Sequence, residues 1–334
     1  MALPLTLACG LYDRTYGLHD GSVPVEGVDL TYLPMMPVET FRRQARHAEF
    51  DASEFSLSTF MTLHARGDDR FVGIPVYPSR RFRHEHVWVN AHAGIRGPRD
   101  LAGKRVGVQE FVQTAALWIR GFLQHDYGVS TEDVEWYFGG YNEPDPHFTP
   151  RIALELPPRI RTRVIPGDQC LDRMLEAGEI DAALPLVPTS FRRGSPHVTR
   201  LFVDFRAVEE DYFRRTRIFP IMHVVVVKRQ VYEKAPWVAQ ALYKAFVQAR
   251  DLAIRRLTTS PPLHATLPWL THHLEATRQV MGDDYWSYGL AENRHVLEAA
   301  AQYVFEQGLI TRPLERVDDL FAPETHAGVL HLPP

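Results

Sequence analysis

The chain has 334 residues, of which 45% are hydrophobic and 23% are charged, and its formal net charge is −4. This length favours two domains, and a chain of this size buries a large core without disulfides or structural metal ions. The near balance of 37 basic and 41 acidic residues provides no general positive field, so nucleic acid and anionic membranes are not expected partners.

The N-terminal sequence and the cysteines favour a cytoplasmic protein. No Lys or Arg precedes the first apolar run, which Pro4 interrupts, so a secretory signal is not predicted. Cys9 and Cys170 form no CxxC pattern, which favours a reducing compartment. No run of about 18 apolar residues occurs, so no transmembrane helix is expected.

Strand-like runs and helical patterns alternate over the first 90 residues. We predict strands at residues 3–9, 28–34, 50–55 and 71–77. Helices are predicted at 38–50 and in SLSTFMTLHARG, whereas GLYDRTYGLHDG, between the first two strands, is predicted to be a loop. The stretch YPSRRFRHEHVWVN follows, and its end, VWVN, is predicted to be a strand.

The pattern starts again after residue 90. A short helix and a strand are predicted within 97–108, and a helix begins at Thr114. Further strands are predicted at 134–140, 181–187 and 200–205, with helices at 170–180 and 207–216, and the proline-rich residues 141–160 are predicted to form a surface loop. Residues 221–228, IMHVVVVK, are predicted to form a buried strand because their apolar run is continuous and β-branched. The chain is almost entirely helical from Pro236 onward.

This alternation predicts an α/β fold with two lobes, each a mixed, mostly parallel sheet flanked by helices. Lobe 1 is predicted to contain residues 1–89 and 218–334, including the helical C-terminal part. Lobe 2, residues 90–217, is inserted into it, with VWVN and MHVVVV as crossover strands. Ligands of such folds bind at the carboxyl ends of strands, so we expect the site in a cleft between the lobes.

The stretch before VWVN carries three arginines and two histidines within seven residues. In an extended conformation His84 and His86 share one face with Phe82 and Trp88. Arg80 and Arg81 suit a carboxylate clamp, and the histidines suit acid–base chemistry near neutral pH. A solvated basic loop remains the alternative interpretation.

Other candidate residues share a position beside a predicted strand end or within the buried strand: Asp13, Arg14, Glu54, Ser56, Gln113, Thr114 and His223. His223 is either a core histidine or a cleft-facing group. Asp13 and Arg14 either contact a ligand or form a local ion pair in a turn. Ser56, Gln113 and Thr114 either cap a helix or contribute to anion binding at its N-terminus.

Several familiar motifs are absent from the sequence. No strand is followed by GxGxxG, and neither a Walker A loop nor a GxSxG elbow occurs. The run HEH offers metal-capable side chains, but it is not HExxH, and no second pair stands at a familiar spacing. Metal binding therefore stays open.

Long blocks across nearly the whole chain, in conserved order, carry a resemblance to a known family. They include FDASEFSLSTF, IPVYPSRRFRHEHVWVNAHAGIRGPRDLAGKRVGVQEFVQTAALWIRG, LFVDFRAVEEDYFRRTRIFPIMHVVVVKR, PWVAQALYKAF, YWSYGLAENRHVLEAA and LFAPET. The sequence resembles the 4,5-dihydroxyphthalate decarboxylase family. That resemblance implies the type II periplasmic-binding-protein fold and conversion of a small aromatic dicarboxylate, 4,5-dihydroxyphthalate, to 3,4-dihydroxybenzoate (protocatechuate) and CO2.

The implied chemistry assigns roles to the candidate residues. His84 or His223 would donate a proton to the ring, and Glu54 or His86 would handle a ring hydroxyl. Arg80 and Arg81, with Arg14 as a third candidate, would hold the retained carboxylate. No cofactor is expected, although a divalent metal is not excluded, and a homo-oligomer is left open.

Three alternatives remain. An oligomeric structural or regulatory binding module would use the mainly helical C-terminal third as an interface, and the other two are functions of the same fold. One is a solute-binding protein for a small aromatic or carboxylate ligand, which would need export. The other is a sister decarboxylase or dehydratase acting on a related acid, because a fold does not determine function.

Overall fold

The computed structural model describes residues 2–259 and 263–328. The strands of this part are β1 (Leu3–Cys9), β2 (Val28–Pro34), β3 (Ala52–Ser56), β4 (Phe71–Arg80), β5 (Trp88–Asn90), β6 (Arg105–Val108), β7 (Glu135–Phe138), β8 (Arg161–Val164), β9 (Ala182–Leu184), β10 (Val198–Arg200) and β11 (Ile221–Lys228). The helices are α1 (Asp13–His19), α2 (Pro37–His47), α3 (Leu57–Ala65), α4 (Thr114–Tyr127), α5 (Leu171–Ala177), α6 (Thr189–Arg192), α7 (Phe205–Thr216), α8 (Arg229–Lys234), α9 (Trp237–Thr259), α10 (Leu270–Met281) and α11 (Leu290–Glu306). Within these residues no helix is long and apolar enough to cross a bilayer.

The described residues divide into two compact units. The first contains residues 2–80, 221–259, 263–298 and 314–328, and the second contains residues 81–220 and 299–313. The predicted boundaries between the lobes lie at 89/90 and 217/218. The observed boundaries between the units lie nearby, at 80/81 and 220/221. Residues 299–313, which include the end of α11, group with the second unit rather than with the first.

The sheet of the first unit has the strand order β2-β1-β3-β11-β4. β1 is parallel to both β2 and β3, whereas β11 is antiparallel to both β3 and β4. β3 and β4 therefore run in the same direction as each other. The carboxyl ends of β1, β3 and β4 consequently lie at one edge of the sheet, together with the amino end of β11.

The centre of this sheet is fully buried, as the continuous apolar run in the sequence predicts. Val224, Val225 and Val226 of β11 have no exposed surface. A strand paired on both sides and covered on both faces needs apolar side chains at successive positions rather than at alternating ones. The prediction of a buried strand at 221–228 is therefore confirmed.

The sheet of the second unit has the order β10-β5-β9-β6-β7-β8. The strands from β9 to β8 in this order are parallel, and β5 and β10 add antiparallel pairs at one side. Trp88, Trp118 and Trp136 are essentially fully buried and fill the core of this unit. The predicted mixed α/β architecture is thus present in each unit.

Several local predictions are wrong. Residues 13–19 form α1 instead of a loop, because Thr15 closes its first turn: its Oγ1 accepts a 2.9 Å hydrogen bond from the Tyr12 N–H. The strand predicted at 200–205 ends at Arg200, because Asp204 accepts a hydrogen bond from the Ala207 N–H and begins α7. β8 was not predicted, since its four side chains are all exposed and show no apolar alternation.

Residues 84–86 form one turn of 3-10 helix rather than an extended segment. The His86 N–H donates to the Arg83 carbonyl at 3.0 Å, which closes the turn. The alternation expected for Phe82, His84, His86 and Trp88 therefore does not apply here.

We predict that Gly121→Ala destabilises the protein through α4. A Cβ atom at Gly121 would overlap the ring of Tyr303. This tyrosine lies in residues 299–313, which belong to the second unit. Overpacking of this kind typically costs about 1–3 kcal/mol, so the free energy of unfolding in urea should fall by that amount. Gly97→Ala is the matched control, because Gly97 has an extended backbone and open space around its Cβ position. Equal stability of the two variants would contradict the packing described.

Candidate active site at the edge of the first sheet

Glu54 and His223 lie in contact where β3 and β11 pair side by side. The register places His223 opposite Ser56 and Val225 opposite Glu54. The distance from His223 Nδ1 to Glu54 Oε1 is 2.5 Å. The Glu54 side chain is fully buried, whereas 17% of the His223 side chain is exposed. The sequence named both residues as candidates but could not show that they meet.

An irregularity in β11 accompanies the position of the His223 ring. The register between β11 and β4 shifts on both sides of His223, between Ile221 and His223 and again between His223 and Val225. Such bulges re-aim a side chain and are common next to active sites. The Phe41 ring packs edge-on against the imidazole with centroids 4.7 Å apart, and this contact fixes the ring on its other side.

Three further groups surround the carboxylate of Glu54. The Gly10 N–H donates to Oε2 at 2.9 Å, and the Tyr12 hydroxyl lies 2.9 Å from Oε1 and 3.2 Å from Oε2. The Cys9 thiol lies 3.6 Å from Oε2. These donors come from the end of β1 and the turn into α1, so a single short segment encloses one side of the carboxylate.

The protonation state of Glu54 follows from these contacts. Burial alone would raise its pKa, but the charge and hydrogen bond of His223, together with Gly10 and Tyr12, hold the pKa below the usual value. Because Oε1 of the ionised Glu54 accepts a hydrogen bond, the His223 imidazole carries its proton on Nδ1 and donates it to that oxygen. His223 Nε2, which makes no hydrogen bond to any described residue, is then the nitrogen available for proton exchange with a ligand.

The pKa values of Cys9 and Tyr12 are both raised, first by burial and then by the nearby charge of Glu54. Both groups therefore remain protonated at neutral pH and act as donors to the carboxylate. A thiol in this state is a poor nucleophile, since the thiolate is the reactive form.

Arg14 contacts the ring of Tyr12, whose hydroxyl reaches Glu54, and is held from several directions. Its Nε donates to the Pro78 carbonyl at 2.5 Å, and its Nη1 lies 3.0 Å from Asp13 Oδ1. The guanidinium carbon lies 4.4 Å from the Tyr12 ring centroid and 4.2 Å from that of Trp286. Nη2 makes no hydrogen bond to a described residue, so the fixed guanidinium has one nitrogen left to bind an anion.

Asp13 and Ser56 have more local roles. Asp13 is exposed and pairs with Arg14, which is the ion pair considered in the sequence. Ser56 occupies the N-cap position of α3 without capping it through its side chain; instead its Oγ accepts a 3.1 Å hydrogen bond from Thr59 Oγ1. Ser56 is buried and opposite His223 in the sheet, so it lies beside the site.

Arg80 and Arg81 do not resemble the predicted carboxylate clamp. Arg80 is 6% exposed, and its guanidinium donates to the Ser287 carbonyl at 2.9 Å and to Asn293 Oδ1 at 2.6 Å. These bonds tie the end of β4 to residues of the C-terminal region. Arg81 is exposed and its Nε donates to Glu85 at 3.1 Å. Both hydrogen-bond to protein groups, which the density of charge in the sequence could not reveal.

His84 and His86 lie in the second unit and are 1% and 3% exposed. The His84 ring stacks on Phe122 with centroids 4.0 Å apart and is bordered by Tyr212. Burial lowers the pKa of His84 to about 3 and that of His86 to about 2. Both imidazoles are therefore neutral at pH 7, so His84 does not suit the predicted role of proton donor. His86 was predicted to act at a ring hydroxyl, and its burial leaves little surface for that contact.

Gln113 and Thr114 begin α4, also in the second unit. Gln113 occupies the N-cap position without a side-chain capping bond, and Thr114 is buried. Nearby, Glu110 and Arg151 form a buried ion pair that the sequence analysis did not identify. The two predicted residues thus lie at the strand-to-helix turn where they were expected, outside the unit that holds Glu54 and His223.

Two residues of the site, Tyr12 and Trp286, were not predicted from the sequence. Tyr12 directly precedes the two residues that were named, and Gly10 before it is a signal of close backbone approach. Trp286 is distant from Arg14 in the chain, and no local pattern indicates their contact. Across residues 2–259 and 263–328, no group of three His, Cys, Asp or Glu side chains is arranged to hold a metal ion.

Comparison with known proteins identifies relatives of this chain. No family model matches the sequence. The 4,5-dihydroxyphthalate decarboxylase of Comamonas testosteroni is 39% identical over 322 residues, which cover 96% of this chain and 97% of that protein. The 4,5-dihydroxyphthalate decarboxylase of Pseudomonas putida is 38% identical over 213 residues, covering 64% of this chain and 82% of that protein.

Solved structures are similar in fold. The crystal structure of the desulfurization enzyme DSZB has a TM-score of 0.51 at 17% identity and covers 96% of this chain and 97% of its own. A putative periplasmic sulfonate-binding protein from Methylobacillus flagellatus KT has a TM-score of 0.51 at 13% identity, covering 97% of this chain and 92% of its own. The predicted periplasmic-binding-protein-like fold is confirmed, and at these identities the similarity extends to the fold alone.

We predict that His84→Phe reduces the acid sensitivity of the protein. The pKa of His84 is about 3 when folded, against 6.5 in its ordinary state. The buried neutral imidazole therefore contributes fully to the free energy of unfolding above pH 6.5. This contribution falls as the pH drops towards 3, because the unfolded chain binds a proton that the folded chain does not. The wild type should lose up to about 1.4 kcal/mol more per pH unit than the variant over this window.

Urea unfolding at pH 7.5, 6 and 5 measures this difference. Neither ring nitrogen of His84 has a hydrogen-bond partner among the residues that the structure describes, so phenylalanine removes no bond seen there. Burial raises the pKa of Glu209 to about 7 and acts in the opposite direction, so the readout is the difference between wild type and variant. His273→Phe, at an exposed position, is the control. Parallel pH dependence of wild type and His84→Phe would contradict the burial of a neutral imidazole.

Proposed function

The chain belongs to the family of 4,5-dihydroxyphthalate decarboxylases, and we propose that it converts 4,5-dihydroxyphthalate to 3,4-dihydroxybenzoate and CO2. The relationship to the Comamonas testosteroni protein extends over 96% of this chain, which supports a shared activity. The observation that carries the chemical proposal is the contact between the buried Glu54 carboxylate and the partly exposed His223 imidazole.

Decarboxylation of this acid needs a proton before CO2 can leave. Direct loss of CO2 would leave an electron pair in an sp² orbital of the ring at high energy. Protonation of the ring carbon that bears the carboxylate avoids this, because the hydroxyl para to that carbon supplies electrons. The C–C bond then breaks and its electrons restore the aromatic ring, while the hydroxyl keeps its proton throughout. One proton is consumed on the ring for each CO2 released.

We assign the proton transfer to His223. The protonated imidazole donates from Nε2 to the ring carbon and becomes neutral, while Nδ1–H remains bonded to Glu54. The anionic Glu54 stabilises the imidazolium before the transfer and fixes its orientation. This replaces the predicted role of Glu54 at the ring hydroxyl, because both of its oxygens already accept hydrogen bonds from the protein.

Arg14 is the residue that we propose to bind the retained carboxylate. Its guanidinium is held by Pro78, Asp13 and two aromatic rings, so little conformational freedom is lost when Nη2 engages an anion. Gripping the carboxylate that stays, rather than the one that leaves, favours the reaction because the leaving group becomes neutral CO2.

We propose proton transfer without a cofactor, and turnover by EDTA-treated protein tests whether a divalent metal is needed. A cytoplasmic location is supported by Cys9 and Cys170, which are both free and buried. The expected partner is the small aromatic substrate itself.

Turnover by purified, EDTA-treated protein tests the proposed function. Incubation with 4,5-dihydroxyphthalate should release CO2 and 3,4-dihydroxybenzoate, measured by chromatography, and His223→Gln should lower kcat by roughly 10²- to 10⁴-fold, the usual contribution of a positioned acid. Exposed His273→Gln is the control. Activity that appears only with added divalent metal would replace the metal-free mechanism. Tight binding without turnover would favour a solute-binding protein or a sister enzyme.

We predict that Arg14→Gln acts mainly on substrate binding. Loss of one charged hydrogen bond costs about 1.5–3 kcal/mol, so kcat/KM should fall roughly 10- to 100-fold, largely through KM. Steady-state kinetics measures the effect. Arg42→Gln, at an exposed position on α2, should behave as wild type. A fall in kcat with unchanged KM would contradict the role of Arg14 as a carboxylate clamp.

A further inference from the structure

We propose that Tyr12 is a positioning residue for this site: its hydroxyl sets the proton affinity of the Glu54–His223 pair, and its ring seats Arg14. The inference rests on the proposed function, since it names the residue that joins the proton donor to the carboxylate clamp. Tyr12 contacts Glu54 through its oxygen and Arg14 through its ring face.

The hydroxyl of Tyr12 reaches both oxygens of the carboxylate. It lies 2.9 Å from Oε1, the oxygen that also contacts His223, and 3.2 Å from Oε2. Burial and the Glu54 charge raise the pKa of Tyr12, so the hydroxyl keeps its proton as a donor. The Tyr12 hydroxyl donates to the same Glu54 oxygen that contacts His223, and so it stabilises the anionic carboxylate. The Glu54–His223 pair therefore becomes a weaker base and a stronger acid.

The turn before α1 is built around this phenol. A Cβ atom at Gly10 would lie 2.5 Å from both Cζ and the hydroxyl oxygen of Tyr12, so the ring occupies space that a side chain at position 10 would take. Thr15 Oγ1 accepts from the Tyr12 N–H at 2.9 Å and donates to the Gly10 carbonyl at 2.9 Å. These bonds fix the backbone on both sides of the ring.

The ring of Tyr12 also supports Arg14. The guanidinium carbon lies 4.4 Å from the ring centroid, within the range of a cation–π interaction. The hydroxyl and the ring therefore serve different parts of the site. Substitutions that remove one or both can separate the two contributions.

Other titratable groups also face Glu54, and the experiment leaves them unchanged. Cys9 comes from β1, Tyr32 from β2, Arg14 from α1 and His223 from β11. From α2 the neighbour of His223 is Phe41, which carries no charge. The Tyr32 hydroxyl donates to the Gly10 carbonyl at 2.7 Å, so it does not replace Tyr12 as a donor to the carboxylate.

The direct test is the titration of His223 by NMR, in protein with isotope-labelled histidine and with the signal assigned from His223→Gln. Tyr12→Phe removes one donor from the carboxylate and should shift the midpoint of the His223 titration to higher pH by about one pH unit. An unchanged midpoint, with the variant folded by circular dichroism, would overturn the proposal. Tyr16→Phe, an exposed tyrosine on α1, is the control.

Kinetics of two variants separate the hydroxyl from the ring. Tyr12→Phe should lower kcat about tenfold with little change in KM, because the acid is weaker and the ring under Arg14 remains. Tyr12→Leu should lower kcat similarly and also raise KM, because Arg14 loses its support. Identical kinetics for the two variants would overturn the assignment of the ring.

The NMR readout separates this inference from the proposed function. If the wild type does not decarboxylate 4,5-dihydroxyphthalate, the proposed function fails, yet the shift of the His223 midpoint still decides whether Tyr12 sets the proton affinity of the pair. If the wild type is active and the midpoint does not move, the proposed function stands and the inference about Tyr12 fails.

Discussion

The burial of one negative charge determines how this part of the molecule is built. A carboxylate without exposed surface is costly unless hydrogen bonds and an opposite charge replace its lost water. Around Glu54 a backbone N–H, a phenol, a thiol and an imidazole supply that replacement. Each comes from a different position at the sheet edge, so the end of β1, the turn into α1 and the start of β11 must all be placed together.

The strand order makes this assembly possible. Because β11 enters the sheet antiparallel between β3 and β4, its first residues meet the last residues of both neighbours. His223, the third residue of β11, is therefore brought to Glu54, the central residue of β3, although the two lie 169 positions apart in the chain. The pairing of β11 with β4 is irregular at His223, and the imidazole of this residue is partly exposed although most of β11 is buried.

The sequence predicts the elements of this arrangement better than their contacts. Strand ends pointed to Glu54 and Arg14, and an interruption of an apolar run pointed to His223, because periodicity is local information. The pairing of Glu54 with His223 depends on sheet register, and the contact of Trp286 with Arg14 depends on the C-terminal region; neither leaves a local pattern. Charge density pointed to Arg80, His84 and His86, because sequence does not show that a cation bonds to a protein carbonyl or that an imidazole stacks against phenylalanine.

The partial exposure of His223 has a consequence for the origin of the product's hydrogen. Under the proposed mechanism the imidazole gives its proton to the ring in every cycle, and the enclosed carboxylate behind it has none to return. The imidazole is therefore recharged from the solvent on its open side. The new C–H bond of the product carries a hydrogen that was in water, and in heavy water that ring position would become labelled while the rest of the carbon skeleton keeps its original hydrogens.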